Sequence, residues 1–149
     1  MDNAELVKLA KEARSYSGAV ISSFMVGAAL ETSCGKVFLG CNIEDPSGIG
    51  VTSICAERCA VVKAISEGYT EFAKIAVVGG PGTPKALRSG GAPSRELEED
   101  LIFCTPCGAC RQFLNSYNPE LVVVCGYGDN EVRELTIREL LPYSFNEKF

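Results

Sequence analysis

Two short segments about fifty residues apart carry the side chains best suited to chemistry: Cys55-Ala56-Glu57-Arg58 and Pro106-Cys107-Gly108-Ala109-Cys110. They supply three thiols and a carboxylate. Three protein ligands suit a catalytic zinc, because they leave a fourth position open, whereas a structural zinc is closed by four. Glu57 lies just past Cys55, so it need not ligate and is free to act as acid and base beside the metal. The chain contains no histidine. That excludes a Ser-His-Asp triad, an H-E-x-x-H zinc helix and a 2-His-1-carboxylate iron site. Arg58 is a second clue, since a cation in the first turn of a helix opposes the helix dipole. A nearby cluster of thiolates resolves that conflict, and an arginine donating to the sulfurs withdraws charge from an electron-rich site.

Blander readings stand beside this one. Cys107-Gly108-Ala109-Cys110 alone matches a thioredoxin-like redox pair, which leaves Cys55 and Glu57 without a role. A closed four-cysteine zinc site using Cys59 or Cys104 also leaves Glu57 without one. Phe24 and Phe145, taken by themselves, are ordinary core aromatics. Asn42 and Glu44 alternate at a strand end, so both face one side of it, as a solvated strand terminus would also present them. Arg58 equally suits a simple ion pair with a carboxylate.

The elements that must position these groups follow from periodicity. A first helix is expected from about Asp2 to Tyr16, with Leu6, Leu9, Ala10 and Ala13 on one face. Strands near Met25–Glu31 and Lys36–Asn42 are joined by a turn at Ser33-Cys34-Gly35. A second helix opens at about Cys55, with Ser53 as a plausible N-cap, and stops near Gly68. It is apolar nearly all round, as a helix buried on several sides should be. Lys74–Gly79 and Leu121–Cys125 are continuous apolar runs that read as central strands covered on both faces. Thr105 as N-cap and Pro106 at the first helical position place Cys107 and Cys110 on one face of a third helix. Both helix N-termini would lower the pKa of the thiols.

The order α-β-β-α-β-loop-α-β-β-α implies a single three-layer α/β/α domain with a mixed central sheet, spanning residues 1–149. It carries a long inserted loop at about 80–101, a functional flap or a partly disordered segment. The acidic run Glu96, Glu98, Glu99 and Asp100 reads as a solvated face.

Composition agrees with one soluble domain: 149 residues, 46% hydrophobic and 22% charged. The net charge of −5 is distributed without a basic stripe, so no nucleic-acid partner is expected. The chain begins without a signal peptide and has no run long enough to span a membrane, which implies a cytoplasmic protein with no membrane partner. In that setting the eight cysteines favour metal ligation and free thiols over disulfides. Cys34, Cys41 and Cys125 read as core filler.

At these residues the chain resembles the zinc nucleobase deaminases, whose signature joins a Cys or His ligand, a glutamate and P-C-x-x-C. More narrowly it resembles the small homotetrameric cytidine deaminases. Ser23-Phe24-Met25-Val26-Gly27-Ala28-Ala29-Leu30 matches their strand with a base-contacting aromatic, and Gly40-Cys41-Asn42-Ile43-Glu44 their ribose-holding segment. Cys55 to Arg58 and Pro106 to Gln112 match the metal segments, and Leu140-Leu141-Pro142-Tyr143-Ser144-Phe145 the C-terminal one. The likeness runs from about Leu6 to Phe145, outside the long loop.

It implies one zinc per chain on Cys55, Cys107 and Cys110, with Glu57 as proton shuttle and Arg58 tuning the thiolates. It also implies a cytidine or deoxycytidine substrate and a role in pyrimidine salvage. Phe24, Asn42, Glu44 and Ala56 would contact that substrate, and Phe145 would reach a neighbour's pocket in a homotetramer with shared sites. The alternatives are a deaminase of another cytosine-containing small molecule, such as a nucleoside antibiotic, and a non-catalytic zinc-binding interaction protein. One departure is clear: the family's Asn-Ala-Ser-Tyr-Gly type sequence is replaced by Asp45-Pro46-Ser47-Gly48-Ile49-Gly50, with a small insertion before Cys55.

Overall fold

In a computed structural model, residues 1–84 and 100–146 are described. Helix α1 (Asn3–Arg14) starts at an Asp2 N-cap whose side chain accepts from the Glu5 N–H, while Glu5 reaches back to the Asp2 N–H. This reciprocal capping satisfies two otherwise orphaned donors and fixes where the helix begins. Strands β1 (Phe24–Thr32) and β2 (Val37–Cys41) form a hairpin, turned at Gly35, whose φ of +89° suits glycine. Helix α2 (Ala56–Ser66) leads to β3 (Phe72–Pro81). Helix α3 (Gly108–Tyr117), β4 (Val122–Tyr127), β5 (Glu131–Thr136) and the short α4 (Ile137–Leu140) follow.

The five strands form one sheet in the order β2-β1-β3-β4-β5. Only β3 and β4 run parallel, and the other neighbours are antiparallel. Successive residues of the central strands face opposite layers. Ala28, Leu30, Ile75, Val77, Val123 and Cys125 pack in one buried cluster with Ala60, Val61 and Ala64 of α2 and Leu114 of α3. Their neighbours Ala29, Ala76, Val78 and Val124 pack in a second cluster with Leu6, Val7 and Ala10 of α1. This is the expected three-layer architecture with a mixed sheet, and β3 and β4 are buried on both faces as their unbroken apolar runs predict.

Several local expectations change. Strand β3 continues through Gly80 and Pro81, which pair with Met25 and Phe24, so the long connection leaves the sheet later than 80. It returns beside β3 through a Gly79–Ile102 bridge. Most of the loop and the acidic run before Asp100 fall outside the described residues. Cys34 is exposed rather than core, because the tight turn lifts it off the sheet. Cys125 is fully buried.

Candidate active site

Helix α2 starts at Cys55 as expected and α3 starts two residues later than expected, and neither is capped by the residue the sequence suggests. Ser53 does not cap α2: its hydroxyl accepts from the Asp45 N–H at 3.0 Å. Thr105 does not cap α3: its hydroxyl accepts from Arg111 Nη2 at 2.8 Å. The N-cap positions belong to Cys55 and Cys107 themselves, both in extended conformation and neither with a side-chain capping bond. Each thiol therefore sits at the positive end of its helix, where capping oxygens normally lie. Cys110 follows three residues after Cys107, in the first turn of α3.

Cys55 and Cys107 Sγ lie 3.6 Å apart, and the Sγ atoms of Cys55, Cys107 and Cys110 all lie within 4.8 Å of one another. Among the described residues no other cluster of this kind occurs. Zn–S bonds of ~2.3 Å in tetrahedral geometry require sulfurs roughly 3.8 Å apart, so this donor set fits zinc. Arg58 Nη2 donates to Cys55 Sγ at 3.3 Å, and its Nε is buried with no hydrogen-bond partner. Its guanidinium is held firmly in the charged form by the Cys55 and Cys110 sulfurs. The structure thus places a cation against the thiol cluster, as the sequence predicts.

Glu57 is 4% exposed, and its Oε2 accepts from Cys110 Sγ at 3.8 Å. Burial pushes its carboxyl up to about 7, the range in which an acid both donates and accepts protons at neutral pH. The neighbouring Cys110, Arg58 and Cys107 side chains hold the Cys55 thiol down to about 5. The Cys110 thiol, between the Cys55 sulfur and the Glu57 carboxyl, is pushed well up.

These groups open on a cavity of about 380 Å³ that Phe24, Asn42, Glu44, Ala56 and Glu57 also line. A larger hollow of about 620 Å³ lies along the free edge of β2 between α1 and α2. It contains none of the thiol trio, and the chemistry belongs to the smaller one. Cys41 and Cys59 line that larger hollow, and neither joins the metal cluster.

Asn42 is bound on two sides of its amide. Nδ2 donates to the Phe24 carbonyl at 2.8 Å, and Oδ1 accepts from the Val26 N–H at 2.9 Å and from the Ser17 hydroxyl. The side chain thus pairs with β1 as a strand backbone would. The Glu44 carboxylate accepts from the Ile21 and Ser22 N–H groups at 2.7 and 2.9 Å and from the Ser22 hydroxyl. The structure adds Cys104 and Thr105 to the cavity wall. The Cys104 thiol is pushed up to about 12 by burial. Pro106 carries a readable signal for this placement, because a residue before proline is driven to extended backbone. Phe145 is not brought to this cavity. It is 58% exposed, and its carbonyl accepts from Gln112 Nε2 at 3.0 Å.

A family model for the cytidine and deoxycytidylate deaminase zinc-binding region matches residues 1–126. The chain is 38% identical over 146 residues to a cytidine deaminase from Halalkalibacterium halodurans, covering 97% of this chain and 95% of that one. The crystal structure of cytidine deaminase from Burkholderia pseudomallei is similar with a TM-score of 0.78 at 39% identity. It covers 97% of this chain and 100% of its own. A blasticidin-S deaminase from Bacillus cereus is 31% identical over 120 residues, covering 80% of this chain and 76% of that one.

Proposed function

This chain belongs to the cytidine and deoxycytidylate deaminase family, and on that premise we propose how its own residues hydrolyse cytidine or deoxycytidine. The enzyme is a zinc-dependent hydrolytic deaminase, and the net reaction replaces the 4-amino group with oxygen and releases ammonia. Cys55, Cys107 and Cys110 hold the metal, and Arg58 draws charge from their sulfurs. Zinc, when bound, supplies the Lewis acidity that makes water nucleophilic at neutral pH.

Phe24 packs on the cytosine ring, and the backbone at Ala56 meets the edge of the base. A flat neutral base offers few charges to grip, so aromatic contact supplies much of its binding. The Asn42 amide has a second N–H beyond the one given to Phe24, and it meets the ribose together with the Glu44 carboxylate. Glu57 takes a proton from the attacking water and delivers it to N3. It then takes the remaining proton from the hydroxyl added at C4 and gives it to the 4-amino nitrogen, so that the C4–N bond breaks, the C4 carbonyl forms and ammonia departs.

The observation that carries this reading is the position of Glu57. A buried carboxyl raised to about 7 lies 3.8 Å from one of three clustered thiols, an arrangement without purpose in a closed structural site. Phe145 then completes the pocket of a neighbouring chain in a closed homotetramer. The single-domain arrangement, a cytoplasmic location and a role in pyrimidine salvage complete the proposal. Among the described residues no helix is long and apolar enough to cross a membrane.

A substrate panel of cytidine, deoxycytidine and blasticidin S, followed by ammonia release, tests the assignment. Turnover of the two nucleosides well above blasticidin S is expected, and the reverse order assigns the chain to deamination of a nucleoside antibiotic. The 31% identity to a blasticidin-S deaminase is what keeps that second reading in the panel.

A further inference from the structure

The segment Pro106 to Gln112 supplies two metal ligands, but the chemistry above leaves Arg111 and Gln112 unused. The Arg111 guanidinium bridges two separate parts of the chain. Nε donates to the Pro106 carbonyl at 2.7 Å and Nη2 to the Thr105 hydroxyl at 2.8 Å, both immediately before Cys107. Nη1 donates to the Leu140 carbonyl at 2.7 Å, at the end of α4. The same helix holds the segment beyond: Gln112 Nε2 donates to the Phe145 carbonyl at 3.0 Å and Asn115 Nδ2 to Asn146 Oδ1 at 2.6 Å.

Cys107 needs such a support. Cys110 is buried and Cys55 half-buried, but Cys107 is exposed, so packing does not fix it. No side chain caps α3, and residues before Gly108 lie outside the helix. A rigid planar fork with donors on all three nitrogens is suited to fixing several acceptors at once, which a lysine cannot do.

We propose that Arg111 is a positioning residue that fixes the Cys107 loop for metal binding and ties it to the C-terminal segment carrying Phe145. This deepens the zinc reading above and rests on it. Partners that orient metal ligands typically contribute about 10–100-fold in metal affinity.

The test is cobalt(II) titration of the metal-free full-length protein, followed through its thiolate-to-cobalt absorption and by competition with a chelator. Arg111→Met should bind cobalt about 10–100-fold more weakly than wild type, with an altered absorption band. Chymotrypsin should also cleave its C-terminal segment faster. Arg111→Lys should recover part of the affinity. Asn118→Ala, which removes a bond to the Phe72 carbonyl at the far end of α3, should leave affinity and spectrum unchanged even where it lowers stability. If Arg111→Met does not fold, Arg111→Lys and Thr105→Val each remove only part of the contact and should each weaken cobalt binding several-fold. Affinity within about two-fold of wild type and an unchanged spectrum in all folded Arg111 and Thr105 variants would overturn the proposal. A wild-type protein that shows no thiolate–cobalt band overturns the zinc reading as well, so the two failures are distinct.

Discussion

Gly40 of β2 lies against the first turn of α2: a Cβ at that position would come within 2.3 Å of the Ala56 carbonyl oxygen and 2.5 Å of the Ala60 nitrogen. The helix that carries Cys55, Glu57 and Arg58 at its start is therefore seated directly on strand backbone. Gly40→Ala must push α2 away from the sheet, and overpacking of this kind costs about 1–3 kcal/mol. We expect that loss in urea denaturation, together with weakened zinc retention. Gly50→Ala is the matched control, since a Cβ there meets nothing within 4 Å, and it should stay within about 0.5 kcal/mol of wild type.

Asn42, proposed above to meet the ribose, also serves the fold. Its amide bonds both the Phe24 carbonyl and the Val26 N–H, so Asn42→Ala removes the proposed ribose contact and unties the strand that carries Phe24. Leaving such part-buried groups unpaired costs up to about 1–3 kcal/mol. A variant with raised KM and lowered denaturation midpoint is expected. Raised KM at wild-type stability would show that the β1 contacts contribute little.

The thiols differ in reactivity in a way that depends on metal. Thiolate is the nucleophile, so in chelated protein at pH 6.5 Cys55, held down to about 5, should react readily with iodoacetamide. Cys104 and Cys125, pushed up by burial to about 12 and about 11, should react slowly until the pH is strongly alkaline. Restoring zinc should protect Cys55. Mass spectrometry of labelled peptides reads all three sites, and equal labelling of Cys55 with and without zinc would remove it from the ligand set.

The architecture was legible because its signals are local and strong. The apolar face of α1, the glycine turns at Gly35 and Gly68, and the unbroken apolar runs of β3 and β4 each point to one structure. The thiol cluster was legible from residue type and spacing. The caps of the two metal-segment helices were not. Ser53 and Thr105 are good N-caps by propensity, but that preference amounts to about 1 kcal/mol. Tertiary contacts to Asp45 and Arg111 override it and leave Cys55 and Cys107 at the helix starts. The bonding of Asn42 to β1 was equally hidden, because the pairing depends on where the strands lie in space.

Phe145 is expected to act across a subunit boundary. Mixing a Phe145→Ala chain with a Glu57→Gln chain should restore activity, since some pockets then combine an intact Glu57 from one chain with an intact Phe145 from another. Mixed oligomers shown to form, yet no more active than the two parents, would mean that Phe145 is not shared.

The most direct measurement of the central claim is conversion of cytidine to uridine by wild type and Glu57→Gln, with zinc content determined on the same samples. The account predicts one zinc per chain in both proteins. It also predicts turnover in the variant lowered by about 10²–10⁴-fold or more, the contribution typical of a general acid/base group. Glu57→Gln turning over cytidine within a few-fold of wild type at equal zinc content would contradict it.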